Sequence, residues 1–465
     1  MRITAPGIDF DAIRTEFALD GDFPAAALAE ADGARDGFAA DRVDRTDLSL
    51  VTIDPPTSMD LDQALHLERA DAGFVLHYAI ADVAAVVRPG GSLDAETRRR
   101  GQTYYLPDGS VPLHPRVLSE GASSLLPDQV RPAALWRIDL DENAEPVAVD
   151  VRRALVRSVA RFDYAGVQAD HRRGTLHSSI SALPEFGRLR AASALRRGAI
   201  ELKLPEQAVV ADGAGWRLEV EPRTEADDWN AEVSLLTGMC AARMMLDARI
   251  GLVRTLPPAP DDAVAALRRS ARSLGLPWPE DVPVGSMLAG LDPNTPEALA
   301  MMSDATALLR GADYAAFDGG APDLTVHAGI GAPYAHVTAP LRRLGDRFAT
   351  EVCLAVCSGE EVPWWVRQAL PRLPDTMRGS DQLAGKVDRA CVDLAEVSVL
   401  ADRVGETFDA VVLRSAERKR DAEVFVLDPI VVARCAGDPP EGVRVPVRLV
   451  SADAVTRRVQ FAYEL

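Results

Sequence analysis

The stretch VTIDPPTSMDLDQAL, residues 51–65, decides the reading of this chain. An apolar run ends at Asp54, and Pro55 and Pro56 come at once after it. Two prolines cannot continue a ladder of backbone hydrogen bonds, so the chain must leave its sheet there. Asp60 and Asp62 stand two apart. In extended backbone they point the same way, while Met59 and Leu61 point toward a core. A loop of this length can fold Asp60 and Asp62 back toward Asp54. Three carboxylates so placed repel unless a positive charge sits among them. Hard oxygen donors suit Mg²⁺ or Mn²⁺. The bland alternative is that Asp54 caps a turn and the other two are solvated. The spacing is not that of a calcium-binding loop, because the Gly and the closing Glu are missing. A D-x-D also occurs in metal-dependent glycosyltransferases. That reading requires a nucleotide-sugar-binding α/β domain before the motif, where only about 50 residues stand.

The surrounding pattern is globular. The chain has 465 residues, 47% apolar and 26% charged, which favours several domains over one core. No run of about 18 apolar residues predicts a membrane span, and the N-terminus lacks a secretory pattern. Five cysteines without a CxxC pair fit a reduced cytoplasm better than a disulfide framework. Cys353 and Cys357, four apart in a helical pattern, are expected on one buried face. A net charge of −19 argues against non-specific nucleic-acid binding over the whole surface, though not against a local basic channel. Only three lysines occur, so nearly all positive charge is arginine, which grips phosphate in pairs of hydrogen bonds.

Outward from the acidic stretch, residues 1–46 predict a short helical region. LSLVTID, QALHLER and GFVLHYAIADVAAVV predict strands. LDAETRRRG predicts a helix stopped by Gly101. Residues 132–164 predict a hairpin turning at Asp141 to Ala144, plus a further strand. Residues 180–200 and 228–251 predict long helices, 257–312 helical pieces broken by proline, and a helix beginning after Pro340. The last 60 or so residues predict short strands closing into a small barrel.

Several spaced blocks then carry a likeness. TIDPPTSMDLDQAL resembles the acidic motif of the ribonuclease II (RNB) family of exoribonucleases. HYAIADVAAVV through SLLPDQVRPA resembles the family's next block in chain order. NAEVSLLTGMCAARMM resembles the family's intervening helix, and YAHVTAPLRRLGD its arginine box. The likeness spans roughly residues 47–360. It implies an α+β fold: residues 47–365 as the catalytic domain, a mixed sheet surrounded by helices; 366–398 as a connecting segment; and 399–465 as an OB-like β-barrel. It implies a form without the family's N-terminal cold-shock domains.

The resemblance further implies hydrolysis of single-stranded RNA from the 3′ end to nucleoside 5′-monophosphates, processively and with Mg²⁺ or Mn²⁺. Asp54, Asp60 and Asp62 match the first three metal-binding aspartates, and Asp62 the catalytic one. The fourth falls on Gln63, a departure that admits an alternative: a degenerate member that binds RNA without cutting it. Arg342 matches the arginine that neutralises transition-state charge, and Arg343 a backbone or RNA contact. Tyr105 matches a tyrosine packed on the last nucleotide. Glu232 matches an acidic residue at the terminal ribose, and His336 and Thr338 lie in the arginine box. Leu202 stands where the family has an aromatic clamp. RRR at 98–100 and RSAERKR at 414–420 are candidates for tracking phosphate. The expected partner is single-stranded RNA, with no DNA and no membrane, and the expected state is a cytoplasmic monomer.

Overall fold

The acidic stretch is held by a circuit of strands. In the computed structural model, which describes residues 5–213, 215–220, 223–417 and 420–464, the strand Leu50–Ile53 pairs with Gln63–Ala70. That strand pairs with Gly73–Ala81, which pairs with Val130–Leu140. The last partner is Pro146–Phe162, a single strand of 17 residues. Its first part pairs antiparallel with Val130–Leu140, and its end runs parallel to Leu50–Ile53. Hydrogen bonding therefore returns to its starting strand. The expected hairpin is present, but its second arm continues unbroken where a further strand was expected. VRRALVRSVARF contains no Gly, Pro, Asn or Asp to break it.

The sheet is buried on both faces, and side-chain size differs between them. Leu65, Leu67, Leu76, Tyr78 and Trp136 face the large core with Phe186, Trp229, Val233 and Phe348 from the helices. Ala64, Ala79 and Ala81 face a second core, against Ala27 and Ala31 of the N-terminal helix Ala25–Asp32. Leu61 is buried there, but Met59 is 43% exposed, against expectation. The loop has not settled into strand geometry at Met59, so the alternation does not extend to it.

The predicted long helices are Leu183–Arg196 and Glu225–Ala248, and the proline-broken pieces are Asp261–Ser273, Val284–Ala289 and Pro296–Ala305. The helix expected right after Pro340 begins at Leu344. Arg343 is its N-cap, in extended conformation, so the arginine pair precedes the helix. Cys353 and Cys357 are free, and both pack against the large core. A 28-residue helix, Leu373–Leu400, leads to the barrel.

Five strands, Thr407–Arg414, Ala422–Leu427, Ile430–Ala436, Arg444–Asp453 and Arg458–Ala462, close the barrel. Period-two alternation is visible in Val445, Val447 and Leu449, which are buried between exposed Arg444, Pro446 and Arg448. Ala395, Val397, Val399 and Leu400 of the long helix join the barrel core. Among the described residues no helix is long and apolar enough to cross a membrane.

Candidate active site

The site forms where the acidic stretch meets the arginine box. Asp54 continues the parallel pairing with one bond, its N–H donating to the Phe162 carbonyl at 3.0 Å. The chain then leaves the sheet, and Arg161 holds the carbonyls of Pro55 (3.1 Å) and Pro56 (2.7 Å). On the return, Ser124 accepts from the Leu61 N–H (3.0 Å) and donates to the Met59 carbonyl (2.7 Å). The Asp62 carbonyl accepts from the Ala81 N–H at 2.9 Å. These bonds fix where Asp62 points.

The second half is a turn tied on every side. Ala339 N–H donates to Asp346 Oδ2 (2.8 Å), and the Arg343 guanidinium spans both Asp346 oxygens at 2.6 and 2.9 Å. Thr103 N–H donates to the Arg342 carbonyl and Leu344 N–H to the Gly101 carbonyl. Gly101 has φ 76°, and a Cβ there would lie 2.7 Å from the Ser380 Cβ, so only glycine fits. The two halves join where Leu341 N–H donates to Asp62 Oδ1 at 2.7 Å. Arg342 Nε lies 3.6 Å from Asp62 Oδ2. Tyr105, half exposed, donates its hydroxyl to Asp60 Oδ2 at 2.9 Å. Tyr105 and Arg342 line a cleft of about 420 Å³ with Ala384 and Asp388 of the long helix.

Burial dominates the electrostatics. It pushes Asp54 up to about 6, against the pull of Arg342 and Arg161. Burial also raises Asp62 well above the usual carboxylate range, opposed by Arg342 and the Leu341 N–H. Asp60 adds to both shifts. The three carboxylates thus share one neighbourhood, yet among the described residues no three His, Cys, Asp or Glu side chains are close enough to form a ligand set. Asp54 Oδ2 is buried without a hydrogen-bond partner. An oxygen donor desolvated and unpaired beside two more carboxylates fits a hard cation, which would draw them together.

Gln63 does not face that neighbourhood as a free ligand. Its amide donates to the Thr338 carbonyl (2.7 Å), and its oxygen accepts from the Tyr78 hydroxyl and from Ser234 (3.4 Å). With these bonds Gln63 braces the two halves of the site, and its amide oxygen faces Tyr78 and Ser234. Thr338 takes part through its backbone, with its side chain buried. Arg343 serves Asp346. His336 is hydrogen-bonded through Nδ1 to Tyr314 (2.7 Å) and packs on Tyr334. Burial and Arg343 hold its pKa well below the usual imidazole range, so it is neutral and structural. Glu232 lines a second concavity of about 490 Å³ with Trp229 and His327, on the helix that also carries Ser234, a partner of Gln63. Its nearest cation is Arg190, at 3.9 Å.

Other expectations also change. Leu202 is half-buried against the helical pieces of 261–305, so it packs in a core. Arg99 and Arg100 are bound to Glu96, and Arg98 is bound through Nε to Asp94. Arg100 is buried as well, so Arg99 and Arg100 are not a free phosphate track, and Arg98 alone of the three keeps its terminal nitrogens without a hydrogen bond among the described residues. RSAERKR lies partly outside the described residues. Arg414 within it pairs with Asp304 and Glu423. Sequence reasoning missed Tyr164, whose hydroxyl accepts from Asn230 at 3.4 Å and feels Asp54 and Arg342. It also missed Ser124, Tyr78 and Asp346. Only Asp346 carried a signal, as the last residue of the arginine box.

The strand circuit, the joined acid and arginine segments and the small barrel define an RNB-type chain. A model of the RNB domain matches residues 42–357, and one of the RNase II-type exonuclease C-terminal S1 domain matches 406–464. The chain belongs to the RNB family, as the motifs implied. It is 28% identical to ribonuclease R of Escherichia coli over 401 residues, 80% of this chain and 48% of that protein. It is 35% identical to ribonuclease R of Mycoplasma pneumoniae over 188 residues, 38% of this chain and 26% of that protein. The chain therefore matches about half, or less, of these relatives' length. The apo form of Mycoplasma genitalium RNase R shares the fold, with a TM-score of 0.88 at 20% identity, covering 98% of this chain and 77% of that one.

Proposed function

We propose that the chain is a metal-dependent exoribonuclease that shortens single-stranded RNA processively from its 3′ end, releasing nucleoside 5′-monophosphates. The observation that carries this is the junction of Asp62 with the arginine turn: a buried carboxylate, an N–H bond fixing it, and a guanidinium 3.6 Å away. A guanidinium so held would offset the negative charge that develops on a phosphate in hydrolysis. Asp54, Asp60 and Asp62 are the residues that would hold Mg²⁺ or Mn²⁺. When bound, such an ion orients water and stabilises the leaving 3′-oxygen. Arg342 pairs with the scissile phosphate, and Tyr105 packs against the terminal nucleotide while its hydroxyl orients Asp60. Water adds to phosphorus and the P–O3′ bond breaks, leaving the 5′-phosphate on the released nucleotide. Arg343, Thr338 and Gln63 keep the two halves in register. Glu232 stands as the ribose contact, and His336 supports the aromatic packing behind the turn.

The test is a time course of 5′-labelled single-stranded RNA on a denaturing gel, with Mg²⁺, Mn²⁺ or EDTA. A ladder shrinking from the 3′ end, abolished by EDTA and by Asp62→Asn, supports the proposal. RNA that is bound but intact in every metal would show a binding protein instead.

A further inference from the structure

Only two aromatic side chains are strongly exposed among the described residues, Tyr105 and Trp364. Tyr105 belongs to the cleft. Trp364 exposes 72% of its surface and lines a separate concavity of about 350 Å³. That volume is at the low end for ligand pockets. Arg98, Gln368 and Arg372 line it as well. The Arg372 guanidinium makes no hydrogen bond or ion pair among the described residues, and the terminal nitrogens of Arg98 make no hydrogen bond there. The only acidic side chain in the lining, Asp94, is 2% exposed and already held by Arg347 (2.6 Å) and Arg98 (3.1 Å). On a chain of charge −19, this hollow offers a bare indole, two cations and no exposed carboxylate. The floor is stiff. Trp365 packs edge-on to Phe348 at 5.3 Å, and Arg347 and Arg98 stack on these rings.

We propose that this concavity is a second binding point for single-stranded RNA, outside the cleft. A base stacks on Trp364, and the adjoining phosphate pairs with Arg372 and Arg98. The combination of aromatic face and arginine suits unpaired nucleotides of any sequence. The helix Ser92–Arg100 carries Arg98 in the hollow and leads two residues on to Gln102, on the cleft wall. One strand can therefore engage both places, its 3′ end in the cleft and an upstream nucleotide here. This rests on the RNA reading above.

The experiment measures binding of a long single-stranded RNA, and of a short oligonucleotide that fills only the cleft, to the full chain in EDTA. Trp364→Ala and Arg372→Glu are each compared with the unsubstituted protein. Both positions are exposed, so folding is not at risk. The expected result is a loss of about five-fold or more for the long RNA. Short-oligonucleotide affinity, and its shortening in Mg²⁺, stay unchanged. Equal affinity for long RNA in all three proteins overturns the proposal. So does a quenching of tryptophan emission by free nucleoside 5′-monophosphate but not by RNA that is lost in Trp364→Ala, which would make this a mononucleotide site. Failure of every protein to shorten the short oligonucleotide would sink the nuclease reading instead, and the binding comparison would still stand.

Discussion

Glu396 sits where the long helix Leu373–Leu400 meets the barrel, 3% exposed. Its Oε1 accepts from Gln207 Nε2 (2.8 Å) and from the Val432 N–H of a barrel strand (3.2 Å). Burial pushes its pKa from an ordinary 4.5 up to about 7. The bonds from Gln207 and Val432 and the charge of Arg389 oppose the shift, and Asp393 adds to it. Since the folded value lies above the unfolded one, the stability linked to this group is fully present below pH 4.5. It is lost as pH rises through 7. A shift of that size is worth about 3 kcal/mol at 1.36 kcal/mol per unit. Glu396→Gln keeps the accepting oxygen and removes the titration. Its stability relative to the unsubstituted chain should therefore rise by about 2–3 kcal/mol between pH 5 and pH 8. Urea unfolding of both proteins, followed by circular dichroism at several pH values, reads this difference directly. Other buried acids titrate equally in both and cancel. A difference that stays flat across pH would refute the reasoning, showing that water reaches the carboxylate at the junction.

The remaining predictions concern the site. Asp346→Ala leaves Arg343 buried without its partner and the Ala339 N–H unpaired. The chain should lose about 3–5 kcal/mol in urea titrations, and RNA shortening should fall with the turn. Tyr105→Phe removes only the bond to Asp60. A single-turnover assay should show a loss of about ten-fold or less, and a larger loss would give the hydroxyl a direct part in the chemistry. Gln63→Asp would supply the missing carboxylate but lose the donor to the Thr338 carbonyl. It should cost about 1–3 kcal/mol without raising activity, and a faster enzyme would restore Gln63 to the metal site.

Much of this was legible from short patterns. Two prolines after Asp54 marked the strand end, and alternation gave the barrel strands. The acid and arginine blocks, nearly 300 residues apart, meet in one neighbourhood. What the sequence hid was commitment. Not all of it was hidden: Glu96 and Asp346 stand three or four residues from Arg99, Arg100 and Arg343, a spacing that pairs charges locally. Gln63 read as a weakened ligand because its neighbours Tyr78 and Ser234 come from other elements. Leu202 could not be distinguished from a binding residue until the helices behind it were in place. Local periodicity reports which face is apolar, and the partner is set by tertiary contact.

The bond from Gln63 to Thr338 spans 275 residues of chain, and it gives the site a timetable. At about 5–20 residues per second, roughly 14–55 s of synthesis separate the two partners. During that interval the growing chain carries its carboxylates without the turn that orients them. Any cutting ability that depends on that turn can therefore appear only late, once the arginine box has been made. A truncated product ending before residue 338 would be inert toward RNA, however well its sheet had folded.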